Sequence, residues 1–398
     1  MATFQENFTK INNKRTIMFG NGVSKSKMFV DKMLEEKISS IMIIFTKKSG
    51  RARTEAEAIE ATIRQYDVNN IISIYLFDGA WPQVPEDDVE AGIKEYNKLN
   101  QPDAILTIGG GSAVGLGKAI CYKCAGDNNK KDRNKKPMPY LISVVTTYSG
   151  SEMTDLQGIS RRDGSGKQVF QSNRMIVRLI IYDAMLLKSL PDSITASSVF
   201  NAMAHAVEVL WGSNLDEDTR KVAKNAVHII ASGIKEYKVG SNKDKARSKL
   251  LYGAYLCGDV LGRGVDMGVH HKLAHVLGGT IKLPHADAHC VLLPYSIAYN
   301  RSYCEQAMGD LMEALDGVDT TNSNHDNDPA TKIFDLQRDV GAPNSLKDIG
   351  MLANQIDLAT SESMHEGYSN PRPYEINAIK KLYEMAFRGE RPSITSKY

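Results

Sequence analysis

Short apolar runs rich in β-branched residues alternate with charged, helix-forming segments through the first half of the chain. That alternation restricts the fold more than any other feature. SIMIIFTKK (40–48) is followed by EAEAIEATIRQY, and IISIYLF (71–77) by EDDVEAGIKEYNKL; DAILTIGGG (103–111) and PYLISVVTT (139–147) come next. Runs that are apolar at every position, rather than at alternate ones, belong to strands covered on both faces. Such strands separated by helices specify a Rossmann-like parallel sheet with helices on both sides. The pattern changes near SLPDSITASS (189–198), where Pro191 and a Ser/Thr cluster mark a connection into a helix. Beyond it the chain reads as helices: ASSVFNAMAHAVEVLWG, DTRKVAKNAVHIIASGIKEY, SKLLYGAYLCGDVLG and NAIKKLYEMAFRG. An α/β domain over residues 1–190 and an all-helical domain over 191–398 are expected.

Composition removes several classes. At 398 residues with 42% hydrophobic and 24% charged residues, the chain is an ordinary globular protein of two-domain length. A net charge of +2 gives no reason to expect nucleic acid or an anionic membrane as a partner. No apolar run approaches the roughly 18 residues of a membrane span. The polar start MATFQENFTKINNKR and the ending TSKY carry no export or peroxisomal signal, so a cytoplasmic location is expected. The five cysteines are then expected as thiols. Cys121 and Cys124 form a CxxC without the second pair that a four-cysteine zinc site needs, and they read as helix residues. GDNNKKDRNKKP (126–137) reads as a basic surface loop.

Gly109, Gly110, Gly111 and Ser112 lie where a strand passes into a helix. Glycines let a backbone approach phosphate, and the helix that follows offers free N–H groups and a positive dipole end. Lys118 adds positive charge. The run matches neither GxGxxG nor the Walker sequence, and a tight turn without ligand has the same appearance. A second strand end, VVTTYSGSEMT, supplies Thr146, Thr147 and Ser149 beside Gly150. Two such ends in one parallel sheet predict a nucleotide crevice.

The second half carries MGVHHKLAHVLGGTIKLPHADAH, which holds His270, His271, His275, His285 and His289, five of the nine histidines. His271 and His275 are four apart on a helix that ends at Gly278-Gly279, and His285 follows on a turn after Pro284. Asn201 and His205, also four apart, share a face of an earlier helix. Asn201, His205, His271, His275 and His285 are therefore expected to meet, either as metal ligands or as metal-free polar groups around a substrate. His228, His325 and His365 lack such company and read as structural or surface residues.

IGGGSAVGLGKAI, TTYSGSEMT, YDAMLLKSLP, ASSVFNAMAHAVEVLW, HHKLAHVLGGTIKLPHADAH and CVLLPYSIAYN together resemble the iron-containing alcohol dehydrogenase superfamily, whose fold is shared with dehydroquinate synthase. Within it they are most similar to the maleylacetate reductases. The resemblance implies an N-terminal dinucleotide-binding domain, an all-helical C-terminal domain and an active site in the cleft between. It implies NADH or NADPH contacts at Gly109, Gly110, Gly111, Ser112, Thr146, Thr147 and Thr154, with Leu186 beside them. It places the superfamily's four ligand positions at Asn201, His205, His271 and His285, with His275 as the neighbouring non-ligand histidine. A homodimer and a small dicarboxylate substrate are implied too.

Asn201 departs from the metal-binding members of the superfamily, which have aspartate there. A neutral amide and three imidazoles hold a divalent ion much more weakly than a set completed by that aspartate. Any ion would rest on His205, His271 and His285, and the resemblance to the maleylacetate reductases implies catalysis without metal. Conjugate reduction suits that set. Hydride adds to the alkene carbon β to a ketone, hydrogen-bond donors hold the enolate oxygen, and a histidine protonates the α carbon. His270 and His289 are expected beside the cluster without a ligand role. Lys272, Arg263 and Lys282 are candidates for the substrate carboxylates. After the first strand-like run, Thr46, Lys47 and Lys48 stand where an acidic residue would favour NADH. The alternative is a metal-dependent alcohol dehydrogenase or carbonyl reductase; a catalytically inactive nucleotide-binding protein and a zinc-dependent sugar-phosphate cyclase fit less well.

Overall fold

The computed structural model describes residues 4–12, 14–124, 137–163, 166–318, 328–365 and 367–393. The basic loop expected at 126–137 lies almost wholly outside them, as does His325. The chain divides into two compact units. One comprises Gln5–Thr147 and Ser151–Leu190; the other comprises Met1–Phe4, Tyr148–Gly150 and Pro191–Tyr398. The chain thus changes unit at Pro191, and Tyr148–Gly150, counted with the first half from sequence, joins the second unit.

The first unit is built on a seven-stranded sheet. Its strands are β1 (Phe8–Ile11), β2 (Thr16–Phe19), β3 (Ser40–Thr46), β4 (Ser73–Ala80), β5 (Ala104–Gly109), β6 (Tyr140–Val145) and β9 (Leu179–Tyr182); β7 (Leu156–Ser160) and β8 (Lys167–Gln171) form a separate hairpin. The order is β1-β2-β9-β6-β5-β3-β4, parallel except for the β1–β2 edge. Residues 41–45 of β3 and all of β5 are buried, as strands covered on both faces require. Helices α1 (Lys27–Glu35), α2 (Gly50–Tyr66), α3 (Glu86–Lys98) and α4 (Gly111–Cys124) connect the strands. A Cβ on Gly117 of α4 would stand 2.5 Å from Thr107 of β5, so glycine allows α4 to lie close on the sheet. The chain runs outward from β3 to β4 and then returns to β5 on the other side of β3. That reversal makes the carboxyl ends of β3 and β5 the topological switch point, where parallel sheets bind ligands.

The second unit is helical: α5 (Asp192–Val209), α6 (Glu217–Val239), α7 (Lys243–Leu261), α8 (Val269–Gly279), α9 (His285–Asn300), α10 (Glu305–Ala314), α11 (Pro329–Asp339), α12 (Ile356–Ser363) and α13 (Ile376–Arg388). Among the described residues no helix is long and apolar enough to cross a membrane. α5 is buried without interruption from Thr195 to Val209, and α9 from Ala288 to Asn300, so both are covered around the whole circumference and carry their polar residues inside the core. Pro284 precedes α9 directly, and His285 is its first residue rather than part of a turn. Proline suits a helix start because its fixed φ and missing N–H cost nothing there.

A second proline, Pro294, lies inside α9 and leaves the Cys290 carbonyl without its helical donor. Gln337 of α11, itself 3% exposed, donates from Nε2 to that carbonyl at 2.6 Å. Replacing Gln337 with Leu is expected to lower unfolding stability by about 1–3 kcal/mol, because a buried carbonyl is left unsatisfied. An unchanged urea midpoint would show that the bond contributes nothing.

Candidate active site

β5 ends on Gly109 with φ of 152°, and α4 starts two residues later. A Cβ at Gly110 would stand 2.3 Å from Thr147 Oγ1, and one at Gly109 would stand 2.9 Å from the Ala113 Cβ. The glycines therefore keep open a narrow cradle of backbone between two strand ends. The first turn of α4 carries no acidic residue, and its first N–H groups have no partner within the helix. Thr46 closes β3, and its hydroxyl would lie 3.7 Å from a Cβ at Gly109, at the switch point. The Thr146 amide donates to Gly109 O at 3.0 Å, which ties the two strand ends together. The structure thus gathers Gly109, Gly110, Gly111, Ser112, Thr46, Thr146 and Thr147. A dinucleotide's phosphates fit this cradle on steric and electrostatic grounds.

Arg51 was not singled out from the sequence. Its guanidinium donates to Thr146 O at 3.2 Å, Leu186 O at 3.3 Å and Ser189 Oγ at 2.8 Å, and pairs with Glu55 at 3.1 Å. It brings Leu186 to the Thr146 strand end. The basic run KKSGRAR was its only local signal. Lys118 corrects an expectation: it is fully buried and does not face the glycine loop. Its Nζ donates to Ser151 O at 2.5 Å, Thr154 Oγ1 at 2.9 Å and Leu156 O at 3.1 Å. Burial pushes this amine down to about 7, with Glu152 opposing the shift. Thr154 is likewise buried, its hydroxyl engaged with Lys118 and Ser151 O.

In the second unit α5, α8 and α9 bring six imidazoles together, with Asn201 one turn from His205 on α5. Ring centroids are 5.2 Å apart for His205 and His271, 5.9 Å for His275 and His285, and 4.4 Å for His285 and His289. His289 also lies 4.9 Å from both His270 and His271. Gly150 packs against the cluster: a Cβ there would stand 3.6 Å from His205 Nδ1 and 3.3 Å from the Gly258 Cα.

Glu208, completely buried on α5, organises the set. Its carboxylate accepts from the amides of Gly268 at 3.1 Å, His270 at 2.8 Å and His271 at 3.2 Å, and from His271 Nδ1. His275 Nδ1 bonds the Tyr368 hydroxyl at 2.6 Å, and His270 Nε2 bonds His289 Nδ1 at 2.9 Å. Ser197 of α5 donates to Asp287, which secures the start of α9. Neither Glu208 nor Tyr368 was foreseen. Burial holds His205, His270 and His289 well below the usual imidazole range, with neighbouring histidines adding to the shift, so these rings are neutral. Asn201 Oδ1 and His205 Nδ1 are buried with no hydrogen-bond partner. His228 instead bonds Ala314 O at 3.0 Å, and His365 lies on the surface near Glu362.

The superfamily's metal fits these positions poorly. Asn201 brings no charge, and among the described residues the ligand atoms of His205, His271 and His285 are not all within 4.8 Å of one another. Among the described residues, the group whose ligand atoms all lie within 4.8 Å of one another is His275, His285 and His289. Arg263, expected as a substrate partner, is committed to Asp218 at 2.6 Å and Asp259 at 2.9 Å.

The sequence patterns of known families agree with this arrangement. That of the iron-containing alcohol dehydrogenases matches residues 14–184, and that of the C-terminal region of the Fe-containing alcohol dehydrogenase family matches 195–387. The chain belongs to the iron-containing alcohol dehydrogenase family and is an oxidoreductase of that family. It is 38% identical to a maleylacetate reductase of Burkholderia cepacia over 321 residues, 81% of this chain and 84% of the relative. The crystal structure of maleylacetate reductase from Rhizobium sp. superposes with a TM-score of 0.79 at 30% identity, covering 98% of this chain and all of the other. An iron-containing alcohol dehydrogenase of Corynebacterium glutamicum superposes with a TM-score of 0.81 at 26% identity, over 100% of both chains. Backbone similarity therefore does not separate the two activities; the side chains must.

Gly110→Ala is expected to weaken binding of the nicotinamide nucleotide by tenfold or more, about 1.4 kcal/mol. Fluorescence titration of the folded variant reads the change. Unaltered affinity would remove the glycine loop from the nucleotide site.

Proposed function

We propose that the chain reduces the conjugated carbon–carbon double bond of maleylacetate, giving 3-oxoadipate, with NADH or NADPH as reductant and no metal requirement. The observation that carries this reading is the donor set. A neutral amide, Asn201, stands with buried neutral imidazoles where metal-binding members of the superfamily have an aspartate. The identity to maleylacetate reductases supports it. A cytoplasmic homodimer is part of the same reading.

The nicotinamide, when bound, supplies the hydride that adds β to the ketone. The residues of the second unit then stabilise and protonate the enolate. His271 commits its Nδ1–H to Glu208, so that bond fixes its ring and gives it an orienting role. Donation to the enolate oxygen falls to the Asn201 amide, His205 and His285. His275, exposed and bonded to Tyr368, exchanges protons with water and delivers one to the α carbon. With Arg263 engaged elsewhere, Lys272 and Lys282 are the cations for the substrate carboxylates. Thr46, Lys47 and Lys48 leave room for a 2′-phosphate, Lys47 being only loosely held by Asp88 at 3.9 Å.

The decisive assay is NAD(P)H oxidation with maleylacetate and with a panel of aldehydes and ketones, each with EDTA or with added Fe²⁺ or Zn²⁺. Turnover of maleylacetate in EDTA is expected. Turnover of simple carbonyls that depends on added metal would establish the alcohol dehydrogenase alternative instead. His275→Ala should lower turnover on maleylacetate by about 10²–10⁴-fold with nucleotide affinity retained. Unchanged turnover would remove His275 as proton donor. Discrimination against NADPH should stay below about 100-fold, or ~2.7 kcal/mol; a larger ratio in kcat/KM contradicts the role given to Thr46 and its lysines.

A further inference from the structure

His275, His285 and His289 present ligand atoms no more than 4.8 Å apart. Only His285 belongs to the four positions at which relatives bind metal. The convergence arises because α9 begins at His285, which places His285 and His289 one turn apart on one helix face while α8 supplies His275 opposite. We propose that these three histidines form a tri-imidazole site for a divalent transition ion of the Zn²⁺ class, separate from the Asn201–His205–His271 positions.

Three neutral imidazoles plus an open position make a sufficient zinc set, as catalytic His₃ sites demonstrate. Two of the three rings are already oriented through their Nδ1 atoms: His275 by the Tyr368 hydroxyl at 2.6 Å, and His289 by His270 Nε2 at 2.9 Å. A partner on the second ring nitrogen is the usual support of a metal-ligating histidine. In the tautomer in which Nδ1 is the donor of these bonds, each ring turns its Nε2 lone pair to an ion. His289 is 1% exposed, and its Nε2 is buried with no hydrogen-bond partner. A bound ion is one of the partners that satisfies a buried polar atom of this kind. His275 is exposed and His285 half-buried, so the fourth coordination position faces outward. Around one tetrahedral ion the nitrogens would stand about 3.4 Å apart, given bonds of about 2.0–2.1 Å. Closing to that spacing requires the exposed His275 ring to turn together with its Tyr368 partner. The set has no oxygen ligand, which favours Zn²⁺ or Co²⁺ over Mg²⁺ or Ca²⁺.

The consequence for activity rests on the reductase reading. An ion held here occupies imidazoles assigned to the enolate and to proton delivery, so it inhibits reduction, and EDTA restores it. Site and consequence are tested separately. Co²⁺ is titrated into the full chain without substrate, reading tetrahedral visible absorption, and bound Zn²⁺ is counted by elemental analysis after dialysis. One ion per chain is expected. His275→Gln, at an exposed position that folding tolerates, and His289→Gln should each weaken Co²⁺ binding at least about tenfold, whereas His205→Gln should leave it unchanged. Absence of Co²⁺ binding by the wild-type chain overturns the site, as does binding lost in His205→Gln but retained in His275→Gln. If Co²⁺ binds as described and maleylacetate is not reduced, the reductase reading fails and the site stands.

Discussion

The Glu208 carboxylate accepts three backbone N–H groups and one imidazole N–H, and the histidine cluster depends on those bonds. A carboxylate without solvent exposure is costly unless every lone pair is used. Here the compensation comes from the start of α8, where free N–H groups and the positive helix end meet a negative charge. Because Glu208 is on α5, one turn from His205, its bonds fix the position of α8 against α5. His271 is held directly, and His275 follows one turn further along. The same carboxylate selects the His271 tautomer, so the fold and the chemistry of that ring are set together.

A second constraint acts from α9. Pro294 interrupts the helical hydrogen bonding just after His289, and Gln337 repairs it from α11. The carbonyl that receives the repair belongs to Cys290, next to His289. The ring of His289 touches those of His270, His271 and His285, so displacement of this turn would disturb most of the cluster. Secondary structure that breaks a local rule is tolerated here because a buried side chain restores the lost bond.

The sequence was most legible where local pattern and tertiary role agree. The apolar runs at 40–48, 71–77, 103–111 and 139–147 became strands β3 to β6, within a few residues at the ends. The four-residue β2 and β9 were not read, since so short a run carries no period and takes its state from pairing. The glycine run and the histidine spacings were legible because chemistry leaves residue types behind. Charges were less legible. Lys118 and Arg263 were candidates for facing a ligand, whereas one is buried on carbonyls and the other is held by two aspartates. Glu208 escaped notice because its partner His271 is 63 residues away, a relation no local pattern encodes. Tyr148–Gly150 changed unit for a similar reason: Gly150 is placed by its approach to Gly258 and His205.

Residue 201 links the residue type to the presence of a cation. In this chain the Asn201 Oδ1 is buried without a partner, beside histidines that burial keeps neutral. An aspartate in the same place would be a buried anion with no positive charge nearby, which is strongly unfavourable unless an ion or a proton neutralises it. A metal-dependent member of the fold can carry that aspartate because the ion is present, and the ion binds well because the aspartate is. Asparagine removes both sides of that coupling at once. What remains is a neutral array of dipoles, and such an array suits a reaction whose developing charge sits on a conjugated enolate. A simple carbonyl concentrates the charge on one alkoxide and needs a stronger Lewis acid. On the proposed reading, one exchange of a carboxylate for an amide changes which electrophile this scaffold reduces, while α5, α8 and the Glu208 anchor stay in place.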